Sequence, residues 1–99
     1  MGEIRHEHDE KKGAFVYEVE GKKMAEMVYV MVGPFKMIID HTEVDESLKG
    51  QNIGKKLLST LVEYVRQHEI KVRPLCLFAN AMLKKVTEWQ DVLDEKSKG

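Results

Sequence analysis

The residues best suited to chemistry are the run Lys49-Gly50-Gln51-Asn52-Ile53-Gly54-Lys55-Lys56, the single thiol Cys76 and the imidazole of His41. The run is a glycine-containing turn ahead of a helical pattern. Gly50 and Gly54 allow close backbone approach, and Asn52 is among the few other residues that tolerate a left-handed conformation. Such a turn aims the unpaired N–H groups at a helix start, here roughly Gln51 to Lys56, at one anion. The helix dipole and the ammonium groups of Lys49, Lys55 and Lys56 add to the attraction. A pyrophosphate suits this arrangement. The run is not a nucleoside-triphosphate P-loop, because no Gly-Lys-Ser/Thr follows at the required spacing, and its glycines lack the dinucleotide-binding spacing. The lysines would equally serve to keep a helix soluble.

Cys76 could act as a nucleophile or a proton donor. Cysteine is also among the most buried residue types, and Cys76 lies in an apolar stretch. Imidazole titrates near neutrality and can take a proton from an amine. His41 could instead hydrogen-bond within a strand. His6, His8 and Glu10 recur along one strand face, a spacing that could hold a metal. A solvated terminal strand accounts for them, and no metal is expected.

The elements that must position these groups come in two halves. Strand patterns occupy residues 4–8, 14–20, 24–32 and 35–44, with a hairpin turn at Glu20-Gly21-Lys22 and a break at Gly33-Pro34. They suggest an antiparallel meander. The period then changes. Ile53, Leu57, Leu58, Leu61, Val62 and Val65 fall at helical spacing. Residues 71–78 read as a fifth strand, reached by a helical crossover that makes strands four and five parallel neighbours. Residues 80–86 and 88–93 are short helical pieces. Met24, Met27 and Met31 read as core filler, and Phe78 and Trp89 as core cover. The anion-binding run thus follows the carboxyl end of strand four, where α/β units place ligands.

The 99 residues allow one domain, expected over 1–93, with a polar and frayed tail over 94–99. The chain carries 16 basic and 17 acidic residues, a net charge of −1, which argues against nucleic-acid binding. No apolar run has the length of a membrane span, and the polar start lacks the apolar stretch of a signal peptide. With one cysteine no internal disulfide can form, and a cytosolic location is expected.

The turn resembles the acyl-CoA pyrophosphate loop of the GNAT superfamily of N-acetyltransferases, Arg/Gln-x-x-Gly-x-Gly/Ala. Lys49 stands at its first position, Asn52 at its first glycine and Gly54 at its second. With Ile39-Asp40-His41-Thr42-Glu43-Val44 and Pro74-Leu75-Cys76-Leu77-Phe78-Ala79, it resembles the small, stand-alone, cysteine-containing GNAT-like proteins. The resemblance runs from about Phe15 to Asp91. It implies an α/β fold with a mixed sheet, acetyl-CoA as co-substrate between splayed strands four and five, and cofactor contacts from Val44 and from Lys49 through Lys56. The sequence departs from the family in two ways. Only Asp9 to Lys12 join strands one and two, so the pair of helices that larger members carry there has no room. No tyrosine follows Tyr64, which leaves the usual proton donor for the CoA thiolate vacant.

Acetyl transfer requires a deprotonated amine, a donor for the developing oxyanion and a proton for the leaving thiolate. The resemblance makes His41 and Cys76 the candidates for catalysis, His41 as base and Cys76 as acetyl carrier or acid. A backbone N–H between His41 and Val44 is the candidate oxyanion donor, and Thr42 could touch the pantetheine arm. The function implied is acetylation of an unidentified amine; the short connection between strands one and two is expected to leave the site open to an amine exposed on a protein or other large molecule. The alternative is a CoA-binding sensor or interaction module without turnover.

Overall fold

The structure, a computed structural model, describes residues 2–94. Five strands lie side by side in chain order: β1 (Gly2–His8), β2 (Lys12–Val19), β3 (Lys22–Met31), β4 (Lys36–Val44) and β5 (Lys71–Pro74). The first four form an antiparallel meander, and β5 runs parallel to β4. Helix α1 (Ile53–Gln67) makes the crossover that a parallel pair requires. Helix α2 (Leu77–Lys85) and a 3-10 segment, Thr87–Val92, follow. This is the mixed α/β architecture that the sequence implies.

Local chemistry explains the connections. Only Glu20 and Gly21 lie between β2 and β3, with φ of 51° and 80°. Two left-handed residues form a turn whose twist matches the flanking strands. At the β1–β2 link, the Asp9 carboxylate accepts the N–H groups of Lys11 at 2.8 Å and Lys12 at 3.0 Å. These bonds hold its carboxyl below the usual carboxylate range.

One sheet face and α1 form the core. Phe15, Met27, Tyr29, Met37, Ile39 and Val72 meet Leu57, Leu58, Leu61, Val62 and Val65, and α2 adds Ala79 and Leu83 to the same cluster. Each enclosed leucine stabilises the fold by about 2 kcal/mol. His6 belongs to this packing, contrary to the expectation of a solvated terminal strand. Its ring stacks on Phe15 at 4.1 Å, and its Nε2 bonds the hydroxyl of Tyr29, which is fully buried. Met27 is buried and Met31 packs beside it, but Met24 is the extra residue of a β2–β3 irregularity and falls outside the core.

Strand β5 stops at Pro74 instead of continuing to residue 78. Leu75 and Cys76 both donate their N–H groups to the Ile39 carbonyl, at 3.0 and 3.2 Å, and the chain leaves the sheet. The first bond of α2 joins Asn80 N–H to the Cys76 carbonyl at 2.9 Å. Cys76 is therefore the residue before α2, not a strand residue, and the helix starts at Leu77 rather than residue 80. The short apolar run Leu75-Cys76-Leu77-Phe78 has no period that separates strand from helix. Asp94, expected to begin a frayed tail, is held by Lys36 at 2.7 Å and by its N–H bond to Val72 at 2.9 Å. The rest of that expected tail, 95–99, lies outside the described residues.

Candidate active site

Strands β4 and β5 part just beyond the Ile39–Pro74 pair. There β4 carries a bulge: Ile39 faces Tyr29 and His41 faces Val28, so Asp40 is an extra residue. Beyond it, Thr42 and Val44 oppose Met27 and Ala25 and share their sheet face, the one packed on α1. His41 opposes Val28 and lies on the other face.

A cleft of about 540 Å³ opens on the α1 side of the parted strands. Thr42 and Val44 form one wall, and Phe78, Met82, Lys85 and Val86 form the other. The start of α1 closes one end. Ahead of it, the Asp45 side chain accepts the Ser47 hydroxyl at 2.7 Å and the Ser47 N–H at 3.0 Å, which caps the turn Glu46–Leu48. Both bonds hold the Asp45 carboxyl below its usual range, the hydroxyl most. Gly50 then takes φ 87°, and Asn52 is left-handed at φ 59°, ψ 31°.

The side chain of Asn52 makes no capping bond. The first helical bond runs from Lys56 N–H to the Asn52 carbonyl at 3.1 Å. The N–H groups of Ile53, Gly54 and Lys55 therefore have neither a helical acceptor nor a side-chain cap. All three residues border the cleft. Unpaired N–H groups at the positive end of a helix dipole attract negative charge.

Of the residues singled out from sequence, Val44, Lys49, Gly50, Asn52, Ile53, Gly54 and Lys55 line the cleft. Gln51 and Lys56 do not, and their N–H groups are taken by the carbonyls of Leu48 and Asn52. The Lys49 ammonium pairs with Glu46 at 2.7 Å. Cys76 is half-buried and does not line the cleft itself; its Sγ donates to Oγ1 of the lining residue Thr42 at 3.4 Å. His41 is exposed on the opposite face, with Nδ1 3.3 Å from Asp40 Oδ2. The fold does not bring His41 and Cys76 to one side of the sheet.

The wall from α2 was missed from sequence. Phe78, Met82 and Lys85 fall at i, i+4 and i+7, one helix face, but that period is visible only if the helix starts at Leu77. Phe78, expected as core cover, is 38% exposed and lies over Gly54, where a Cβ would come within 2.8 Å of its ring. Gly54 thus serves helix packing as well as access to the backbone. Among the described residues no group of three His, Cys, Asp or Glu side chains could hold a metal, and no helix is long and apolar enough to cross a membrane.

The chain is similar to known proteins. Residues 14–92 match the family described as GCN5-related N-acetyl-transferase. Protein NATD1 of Danio rerio is 29% identical over 82 residues, covering 82% of this chain and 74% of that protein. The solution structure of a GCN5-like protein from Staphylococcus aureus matches with a TM-score of 0.69 at 37% identity, covering 91% of this chain and 87% of that one. The ribosomal-protein-alanine N-acetyltransferase of Brucella melitensis matches in fold, with a TM-score of 0.66 at 15% identity over 79% of this chain and 62% of that one. By its match over residues 14–92 and its 37% identity to the Staphylococcus aureus protein, this chain belongs to the GCN5-related N-acetyltransferase family.

Proposed function

We propose that this protein transfers an acetyl group from acetyl-CoA to an amine. The observation that carries this reading is the uncapped start of α1, at Ile53, Gly54 and Lys55, opening onto the cleft between the parted strands. The residues present fit the co-substrate. The free N–H groups suit its pyrophosphate, with Lys55 and Lys85 adding charge. Thr42 and Val44 on one side and Phe78 and Met82 on the other suit the pantetheine arm. The thioester then ends near Thr42 and Cys76, where β4 leaves β5.

In the transfer, the amine loses a proton and its nitrogen bonds the thioester carbonyl carbon. The C–S bond breaks, and the departing thiolate takes a proton. The half-buried Cys76 has two possible parts. As acid, its S–H protonates that thiolate. As carrier, its sulfur takes the acetyl group with loss of its own proton, then yields the group to the amine. The acceptor amine sits on a protein or other large molecule in this reading, because α1 and α2 pack on one face of the sheet and the exposed His41 lies on the other.

A thermal shift with acetyl-CoA tests binding. Acetyl-CoA at a hundredfold excess over Kd should add about 2.7 kcal/mol, roughly 10–20 °C in Tm for a domain of this size. No shift at saturating acetyl-CoA would remove the reading. Intact mass after incubation then separates the two parts of Cys76, since only the carrier gains an acetyl group that Cys76→Ala lacks. Binding with no acetyl transfer across a broad amine panel would favour a CoA-binding module without turnover.

A further inference from the structure

Neighbouring side chains in a regular strand point to opposite sheet faces. The bulge in β4 suspends that rule. His41 opposes Val28 and Asp40 is the extra residue before it, so both side chains share the face away from α1, with Asp40 Oδ2 3.3 Å from His41 Nδ1. The same bulge marks the point where β4 leaves β5. The next residue, Thr42, lines the cleft from the other face and bonds Cys76. The imidazole and the thiol therefore flank one gap in the sheet from opposite sides. Helices α1 and α2 both pack into the core on the cleft side. An acceptor amine can reach the gap from the His41 side.

We propose that Asp40 is a positioning residue for this reaction. Its carboxylate accepts the Nδ1–H of His41 and leaves Nε2 without a proton, open to the face from which the amine arrives. The catalytic use of the pair rests on the acetyltransferase reading; the pairing itself does not. The substrate ammonium gives its proton to Nε2, and the nitrogen lone pair then bonds the thioester carbonyl carbon. The C–S bond breaks, the thiolate leaves, and the second proton that the nitrogen sheds ends on it as the CoA thiol. Asp40 stays ionised and stabilises the imidazolium. The charged residues nearest on this face by register are Glu43 on β4, Glu26 on β3 and Arg73 on β5. Glu26 is paired with Lys23 at 3.1 Å. Asp40 and Glu43 make the approach acidic, which favours an ammonium over a neutral or anionic acceptor.

Long-range ¹H–¹⁵N spectra of the intact protein, recorded at mildly alkaline pH without ligand, read the tautomer. A histidine ring adopts the tautomer set by the bond its other nitrogen makes. The expected result is an Nδ1–H His41 in the wild type and a predominantly Nε2–H ring in Asp40→Ala, with backbone spectra showing both folded. An Nε2–H ring in the wild type, or a tautomer unchanged in Asp40→Ala, overturns the proposal. CoA release from acetyl-CoA with a panel of peptides, lysine and polyamines gives the second readout. Asp40→Ala should lower kcat about tenfold with KM for acetyl-CoA unchanged, and an unaltered kcat also overturns it. A wild type inactive on the whole panel counts against the acetyltransferase reading instead, and the tautomer then decides the pair alone.

Discussion

The two ends of α1 solve the same problem in opposite ways. Every helix leaves N–H groups unpaired at its start and carbonyls unpaired at its end. At the end of α1 the chain answers its own need. Glu69 takes a left-handed φ of 55°, Ile70 N–H bonds the Val65 carbonyl at 2.8 Å and Glu69 N–H bonds that of Arg66 at 3.4 Å. This is a Schellman closure, usually built with glycine at the left-handed position. Around it, Tyr64 lies 4.5 Å from His6 and 4.4 Å from His68, and Arg66 grips both oxygens of Asp91 at 3.0 and 2.6 Å. At the start of α1, the left-handed residue is Asn52, no side chain caps the helix and the free donors face a cleft. The ligand is expected where donors lack partners.

The comparison breaks most severely at Gly54. In Gly54→Leu the new side chain meets the Phe78 ring and enters the cleft. Overpacking should cost about 2–3 kcal/mol, and the thermal shift with acetyl-CoA should vanish. A shift equal to wild type would show that the cleft is not the binding site. Asn52→Val comes next. A β-branched residue is poorly suited to the left-handed region, so chemical denaturation should show a loss of about 1–2 kcal/mol, whereas Asn52→Gly should keep both fold and acetyl-CoA response.

At the far end of the helix, acid tests the packing. Burial is the main cause that lowers the His6 pKa from 6.5 to about 4, with His8 and His68 adding to it. The unfolded chain therefore binds more protons in that window, so stability is full above pH 6.5 and falls as pH drops toward 4. The ring is partly exposed, and after allowance for solvent screening the loss is about 1 kcal/mol. Asp9, Asp45 and Asp91 have carboxyls held below 3.8, so they titrate below this window. Urea midpoints between pH 7 and 4.5 that do not fall would contradict the burial of His6. The smallest effect is a gain. Glu69→Gly relieves a left-handed non-glycine residue and should raise stability by about 0.5–1 kcal/mol, a few degrees in Tm, with the acetyl-CoA response unchanged.

Local patterns made much of this legible. Glu20-Gly21 specifies a tight hairpin because two adjacent residues must accept positive φ. The spacing of Ile53, Leu57, Leu61 and Val65 specifies α1 because an apolar stripe has meaning only against a sheet. Gly50 and Asn52 mark the left-handed turn ahead of α1, because few other residue types accept positive φ. The true extent of β5 was not legible, since Leu75 to Phe78 suits either a strand or a helix.

By itself, then, the sequence determined the meander, the crossover helix and the turn that bares its first N–H groups, all properties of contiguous residues. Only the tertiary structure decided which side of the sheet each reactive group faces. One extra residue at Asp40 reverses the alternation of β4, sending His41 to one face and Thr42 to the other. That shift is defined by pairing with β3 and by the departure of β5 at Pro74, a partner distant in the chain. The same departure places Cys76 ahead of α2 and turns Phe78, Met82 and Lys85 into a cleft wall. A side chain's type is written locally, but its neighbours across a sheet depend on register, and a single residue of register changes them all.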